Sequence, residues 1–90
     1  MTTKLQSESR RVLRWVFRQD DRAITCEIDA NGPTFDVCVV PHWNVSASLV
    51  ERYGAVHSAF QRHAEVAREL RDAGWIRAES RPTSPLRTAA

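Results

Sequence analysis

Gly54–Trp75 reads GAVHSAFQRHAEVARELRDAGW, and this stretch decides the fold. Placed at about 100° per residue from Val56, residues Ala59, Phe60, His63, Val66, Ala67, Leu70 and Ala73 share one side. Gln61, Arg62, Glu65, Arg68, Glu69, Arg71 and Asp72 take the other. An apolar stripe of this width belongs to an amphipathic helix lying on a core. Ala, Glu, Arg and Leu, all strong helix formers, dominate the segment. Glu65 with Arg68, and Arg68 with Asp72, stand at neighbour spacing on the solvent side. The end is marked by Gly74, which takes a left-handed C′ position without a Cβ penalty and leaves Ala73 as the cap. Trp75 is then C″, placed to close over Leu70 at C3. Arg68 and Arg71 in the last turns complement the helix dipole. Gly54 sets the start.

His63 is the polar residue in that stripe. Its functional reading is a base, a ligand or a pH switch. Its structural reading, which we favour, is a core imidazole with a hydrogen-bond partner, because a lone His has no adjacent ligand.

The residues before the helix read as strands. In Val12–Arg18 (VLRWVFR), Leu13, Trp15 and Phe17 alternate with Arg14, Val16 and Arg18. A polar turn at residues 19–22 follows. Ala23–Asp29 alternates again, with Ile24, Cys26 and Ile28 inward. Ala30-Asn31-Gly32-Pro33 is a hairpin signal. Phe35–Val40 (FDVCVV) is the third strand, with Phe35, Val37 and Val39 inward and Cys38 and Val40 on a partly covered opposite side. Val45–Tyr53 fits either a fourth strand, with Ala47, Leu49 and Tyr53 on one face, or a helical segment capped by Asn44 or Ser46. Gly54 separates it from the helix and favours the strand. Ile76–Glu79 is a short extended piece. The expected fold class is α+β: an antiparallel meander of three to four strands with one long C-terminal amphipathic helix packed across one face. Short turns oblige consecutive strands to pair. Residues 1–10 are expected to be a flexible N-terminus, 11–79 a single domain, and 80–90, with Pro82 and Pro85, a disordered tail.

A four-strand meander followed by a helix resembles the element order of the single-strand nucleic-acid binders of the Whirly and Pur types; the resemblance is of element order and covers no motif. The Arg-rich helix ending in Gly-Trp is similar to small bacterial proteins, a likeness that implies no function.

Ninety residues make one domain with a modest core. No stretch approaches the roughly 20 apolar residues of a membrane span, and the first residues hold no apolar signal-peptide core. The expected location is cytoplasmic, with no membrane partner. Cys26 and Cys38 fit reduced thiols better than a disulfide framework. The net charge of +2 does not by itself argue for nucleic acid. Its distribution is uneven, because residues 23–53 carry Glu27, Asp29, Asp36 and Glu51 against Arg52 alone.

No metal, cofactor or catalytic motif emerges. His57 and His63 lie about 240° apart around the helix and share no face. Ser58 beside His57 diverges from it, and there is no nucleophile elbow. Asp20-Asp21 reads as a solvated turn. Trp43, beside Pro41 and His42, is either a stacking anchor or a lid over the end of the sheet, the lid being favoured.

Two function classes remain. The first is a non-catalytic interaction module, a homodimer joined through the open sheet face or an edge. Arg14, Val16, Arg18, Cys38, Val40, Trp43 and Tyr53 are the candidate contacts. The alternative is single-stranded nucleic acid held on the sheet, with Arg14 and Arg18 at phosphates and Trp43 or Tyr53 stacking bases. The acidic middle strands favour the first.

Overall fold

The computed structural model describes residues 9–78. Five strands form one sheet: β1 (Ser9–Gln19), β2 (Arg22–Asn31), β3 (Thr34–Pro41), β4 (Leu49–Tyr53) and β5 (Ile76–Ala78). The helix α1 spans Val56–Asp72, 17 residues. The spatial order is β4-β3-β2-β1-β5, every pair antiparallel. The expected α+β meander with one long helix across one face is therefore the fold. It carries one more strand than expected, since Ile76–Ala78 pairs with Val16–Arg18. The strand starts earlier than the sequence pattern does, at Ser9. Of the expected flexible start at residues 1–10, residues 9 and 10 belong to β1; residues 1–8 and the expected tail lie outside the described residues.

The meander follows from its turns. Asp20 and Asp21 join β1 to β2, with Asp20 at φ 58°, a conformation that Asp tolerates better than most residues. Gly32 and Pro33 join β2 to β3, with Gly32 at φ 64°. The Val45–Tyr53 ambiguity resolves into both readings. Val45–Ala47 is a single 3-10 turn, and the chain extends only from Leu49. Ala47 thus leaves the face it was expected to share with Leu49 and Tyr53.

One irregularity sets the faces of β1. The pairing moves from Arg11↔Asp29 to Leu13↔Ile28, so Val12 is an extra residue in a bulge. Strict alternation would put Arg11 and Arg14 on opposite faces. The bulge puts both on one face, beside Glu27.

The helix packs on Phe17 and Cys26 through Val66 and Ala67, joined by Trp15, Val39, Leu70 and Trp75. It also packs on Ile28 and Val37 through Ala59, joined by Leu13, Phe35 and Tyr53. Its end has the expected geometry. Trp75 N–H donates to the Leu70 carbonyl at 2.9 Å, Gly74 N–H donates to Arg71 at 3.0 Å, and Gly74 has φ 97°. Gln19 fastens that end to the sheet, its Nε2 donating to the Ala73 carbonyl at 3.0 Å. No described helix is long and apolar enough to cross a membrane.

Candidate functional site

The surface left over by this fold is the sheet face away from α1 and the outer edge at β4. The register places Val16, Thr25 and Val40 in one row across the open face, and Arg14, Glu27, Cys38 and Val50 in the next. A third row holds Asp29, Asp36 and Arg52. The structure therefore brings Arg14, Val16, Cys38 and Val40 together, with Arg18 exposed at the end of β1.

The apolar members of this group offer less surface than their sequence suggests. Val16 lies between Thr25 and the added strand's Ala78 and is buried, while Cys38 and Val40 are half-buried. Their neighbours are charges that pair within the sheet. Arg11 and Arg14 place Nε 3.6 and 3.7 Å from Glu27 Oε1. Arg52 grips Asp36 with two bonds, at 2.8 and 3.1 Å, which holds the Asp36 carboxyl below its ordinary range. Burial raises Glu27, and the neighbouring Asp29 carboxyl raises it further.

Glu27, Asp29 and Cys38 bring their oxygen and sulfur atoms within 4.8 Å of one another, the spacing of a metal site. The surroundings argue against a cation. Two guanidinium groups already hold Glu27, and burial with the adjacent carboxylates pushes the Cys38 thiol up to about 11, so it is protonated at neutral pH. The thiol points its proton at Asp29 Oδ2, 3.9 Å away. Cys26, wholly buried under α1, is pushed up to about 12 by that burial.

Trp43 and Tyr53 do not join the open-face group. Trp43 stacks on Trp75, with ring centroids 5.9 Å apart and planes 13° from parallel. The Arg22 guanidinium stands 4.7 Å from the same ring. Trp43 so forms a lid between the β3–β4 connection and the helix end, with 47% of its surface still exposed. Tyr53 packs on the helix side, against the cluster of Ile28, Val37 and Ala59, and donates its hydroxyl to Glu51 at 2.9 Å.

His63 is buried under the helix. Its Nε2–H donates to the Cys26 carbonyl at 3.0 Å, and its ring stands edge-on to Trp15 at 5.0 Å. Burial lowers its pKa, so the ring is neutral at pH 7.

One pairing was not legible from spacing. Thr25 Oγ1 and His42 Nε2 lie 2.6 Å apart, and His42 N–H donates to the Ala23 carbonyl. Together they pin the turn after β3 to β2. The hydroxyl is buried, and no acidic side chain orients the imidazole among the described residues, so the pair lacks the third member of a nucleophilic triad.

The exposed apolar residues lie elsewhere: Val12 at the bulge, Val56 and Phe60 in the first turns of α1, although Phe60 was expected on its buried stripe, Ile76 on β5, and a group around β4. Leu49 and Val50 are each 60% exposed, on opposite faces of the strand, and Val45 just before them is 63% exposed. On the helix side, Leu49 borders a groove of about 220 Å³ between β4 and α1. Val37, Val39, Val66 and Leu70 form its apolar lining, and Glu51, Arg62 and Glu69 form its rim. Exposure at the strand after Trp43 was hidden in the sequence because that segment carried two competing secondary-structure readings.

Comparison with protein-family models, with curated proteins and with solved structures gives no match.

Proposed function

We propose that the chain is a non-catalytic interaction module that forms a homodimer through the β4 edge of its sheet. The observation that carries this reading is the state of that edge. β4 closes one side of the sheet with a row of backbone groups that no described strand pairs. Proteins usually blunt such an edge with free charges, proline or a bulge. Here the two charged residues of β4 are engaged by their own chain. Glu51 accepts from Arg62 at 2.8 Å and from Tyr53, and Arg52 is held by Asp36. The residues presented outward are Leu49 and Val50. On the opposite side β5 covers only Val16–Arg18, and the rest of the β1 edge is blunted by the bulge at Val12 and by Arg10, Arg11 and Arg14.

Single-stranded nucleic acid is the second reading, and the exposed indole of Trp43 with Arg22 beside it favours it. Its other parts are less well placed, since Arg14 stands beside Glu27 and Tyr53 turns under the helix.

Sedimentation velocity over a range from about 1 to 100 µM, the regime of weak dimers, tests the leading reading. A sedimentation coefficient that rises with concentration in the wild type and stays at the monomer value in Leu49→Lys/Val50→Lys supports it. Identical monomer values for both chains reject it. Salt-sensitive retention on an immobilised single-stranded oligonucleotide would then move the weight to the second reading.

A further inference from the structure

Resting on the homodimer reading, we infer that the two copies join by antiparallel pairing of β4 with β4 about a two-fold axis passing through Val50. A two-fold perpendicular to the sheet makes one continuous ten-stranded sheet from two copies of the five-stranded one, with both helices on the same side. Side chains alternate between faces, and each face must continue into the same face of the partner. Only registers centred on a residue satisfy this, which leaves the positions of β4 itself.

Charge and chain path select among them. A centre at Glu51 pairs all of β4 but sets the two Glu51 side chains directly opposite, about 5 Å apart, each held in place by Arg62 and Tyr53 of its own chain and so unable to turn away from the other. A centre at Arg52 does the same with two guanidinium groups. A centre at Leu49 leaves only Leu49 opposite another β4 residue, because Ala47 lies in the 3-10 turn, and a centre at Tyr53 leaves only Tyr53, because Val56 opens α1; a centre at Val50 keeps Leu49–Glu51 paired. A centre at Val50 opposes Val50 with Val50 on the open face, and Leu49 with Glu51 on the helix face. No like charges meet. The Val50 pair is flanked by Cys38 of each copy, the half-buried neighbour of Val50 in β3.

The groove supports the same register. It offers about 220 Å³ between β4 and α1, open to solvent at the β4 side. A partner's Leu49 opposite Glu51 stands at the mouth of this groove, where Leu49, Val66 and Leu70 line it. The interface is small, so the dimer belongs to the weak, concentration-dependent class.

Disulfide trapping reads the register. In a Cys38→Ser background, which removes the neighbouring thiol, Val50→Cys is oxidised with diamide and run without reductant. Directly opposed positions have Cα atoms about 4.5–5.5 Å apart, within disulfide range, whereas a two-residue offset puts them roughly 8 Å apart, outside it. Val50→Cys is expected to link into a dimer. An equimolar mixture of Leu49→Cys and Tyr53→Cys, opposed only when Glu51 is the centre, is expected not to link with each other. The reverse pattern overturns the inference, as does linkage in neither. Light scattering of the same proteins under reducing conditions separates the two claims. Dimers without the Val50 link reject this register alone, and monomers reject the homodimer as well.

Discussion

The two faces of this sheet place branched side chains at comparable positions and dispose of them by different chemistry. Under α1, Phe17, Cys26, Ile28 and Val37 meet Ala59, Val66 and Ala67, and the one polar group among them, His63, is satisfied by a carbonyl. On the opposite face Val16, Cys38 and Val40 are interleaved with Thr25, Glu27, Asp29 and Asp36, and the charges pair along the sheet. The first arrangement removes apolar area from water. The second narrows the apolar patch and leaves a surface that stands in solvent without a covering layer. Exposed apolar side chains consequently stand at the edges of the sheet, Leu49 and Val50 on β4 and Ile76 on β5.

The comparison predicts unequal sensitivity. Phe17→Ala, on the covered face, should cost about 3–5 kcal/mol, the range for losing a buried aromatic ring, read from the urea unfolding midpoint. Val16→Ala on the neighbouring position of the same strand should cost clearly less, because Val16, though buried beside Thr25 and Ala78, gives up only two methyl groups and no helix packs on it. Equal losses would mean that the open face is packed as a second core.

Gly74→Ala should cost about 1–2 kcal/mol, through the left-handed backbone. An added Cβ would also meet Gln19 Nε2 at 2.7 Å and disturb the bond that fastens the helix end. A thermal midpoint equal to the wild type's would show that the end of α1 does not help hold the covered face together.

His63 gives the covered face a pH dependence. Its folded pKa lies below the ordinary 6.5 because burial disfavours the imidazolium. Between those two values the unfolded chain binds a proton that the folded chain does not. Stability therefore rises with pH in that window and is lost as pH falls below about 6.5, with a slope of at most about 1.4 kcal/mol per pH unit. Glu27, raised in the folded state, acts with the opposite sign at lower pH. The difference between wild type and His63→Leu isolates the imidazole. At pH 7 the variant should lie within about 1–2 kcal/mol of wild type, since one hydrogen bond is exchanged for apolar packing. The gap should shift in the variant's favour as pH is lowered. Parallel curves would contradict the assignment.

The smallest effect is expected from Arg52→Ala, at most about 1 kcal/mol, because the guanidinium of the Asp36 pair is mostly exposed and screened. A larger loss in chemical unfolding would show that the open-face ion pairs help hold the sheet together.

Much of the fold is legible in the sequence where one period dominates. The stripe from Ala59 to Leu70 specifies the helix, and Gly74-Trp75 its end, because left-handed backbone and the Schellman bonds are local demands. Leu13, Trp15 and Phe17 likewise specify their face. The rest depends on partners distant in the chain. The bulge at Val12 is visible only against Asp29 and Ile28 in β2. Ile76–Ala78 becomes a strand only because β1 has a free side. Of the candidate contacts, Arg14, Val16, Cys38 and Val40 share a face as alternation requires. Tyr53 turns the other way, because Leu49 begins β4 after a 3-10 turn and Tyr53 falls in register with Phe35. Trp43 meets Trp75 across more than thirty residues, which no periodicity encodes.

The proposed self-complementary β4 edge is tested most directly by the mass of the particle in solution. Multi-angle light scattering of the wild-type chain at about 50 µM, where a micromolar dimer is populated, should approach twice the 10.3 kDa chain mass. It should return to the single-chain value in Leu49→Lys/Val50→Lys. A wild-type mass of one chain at that concentration would contradict the account.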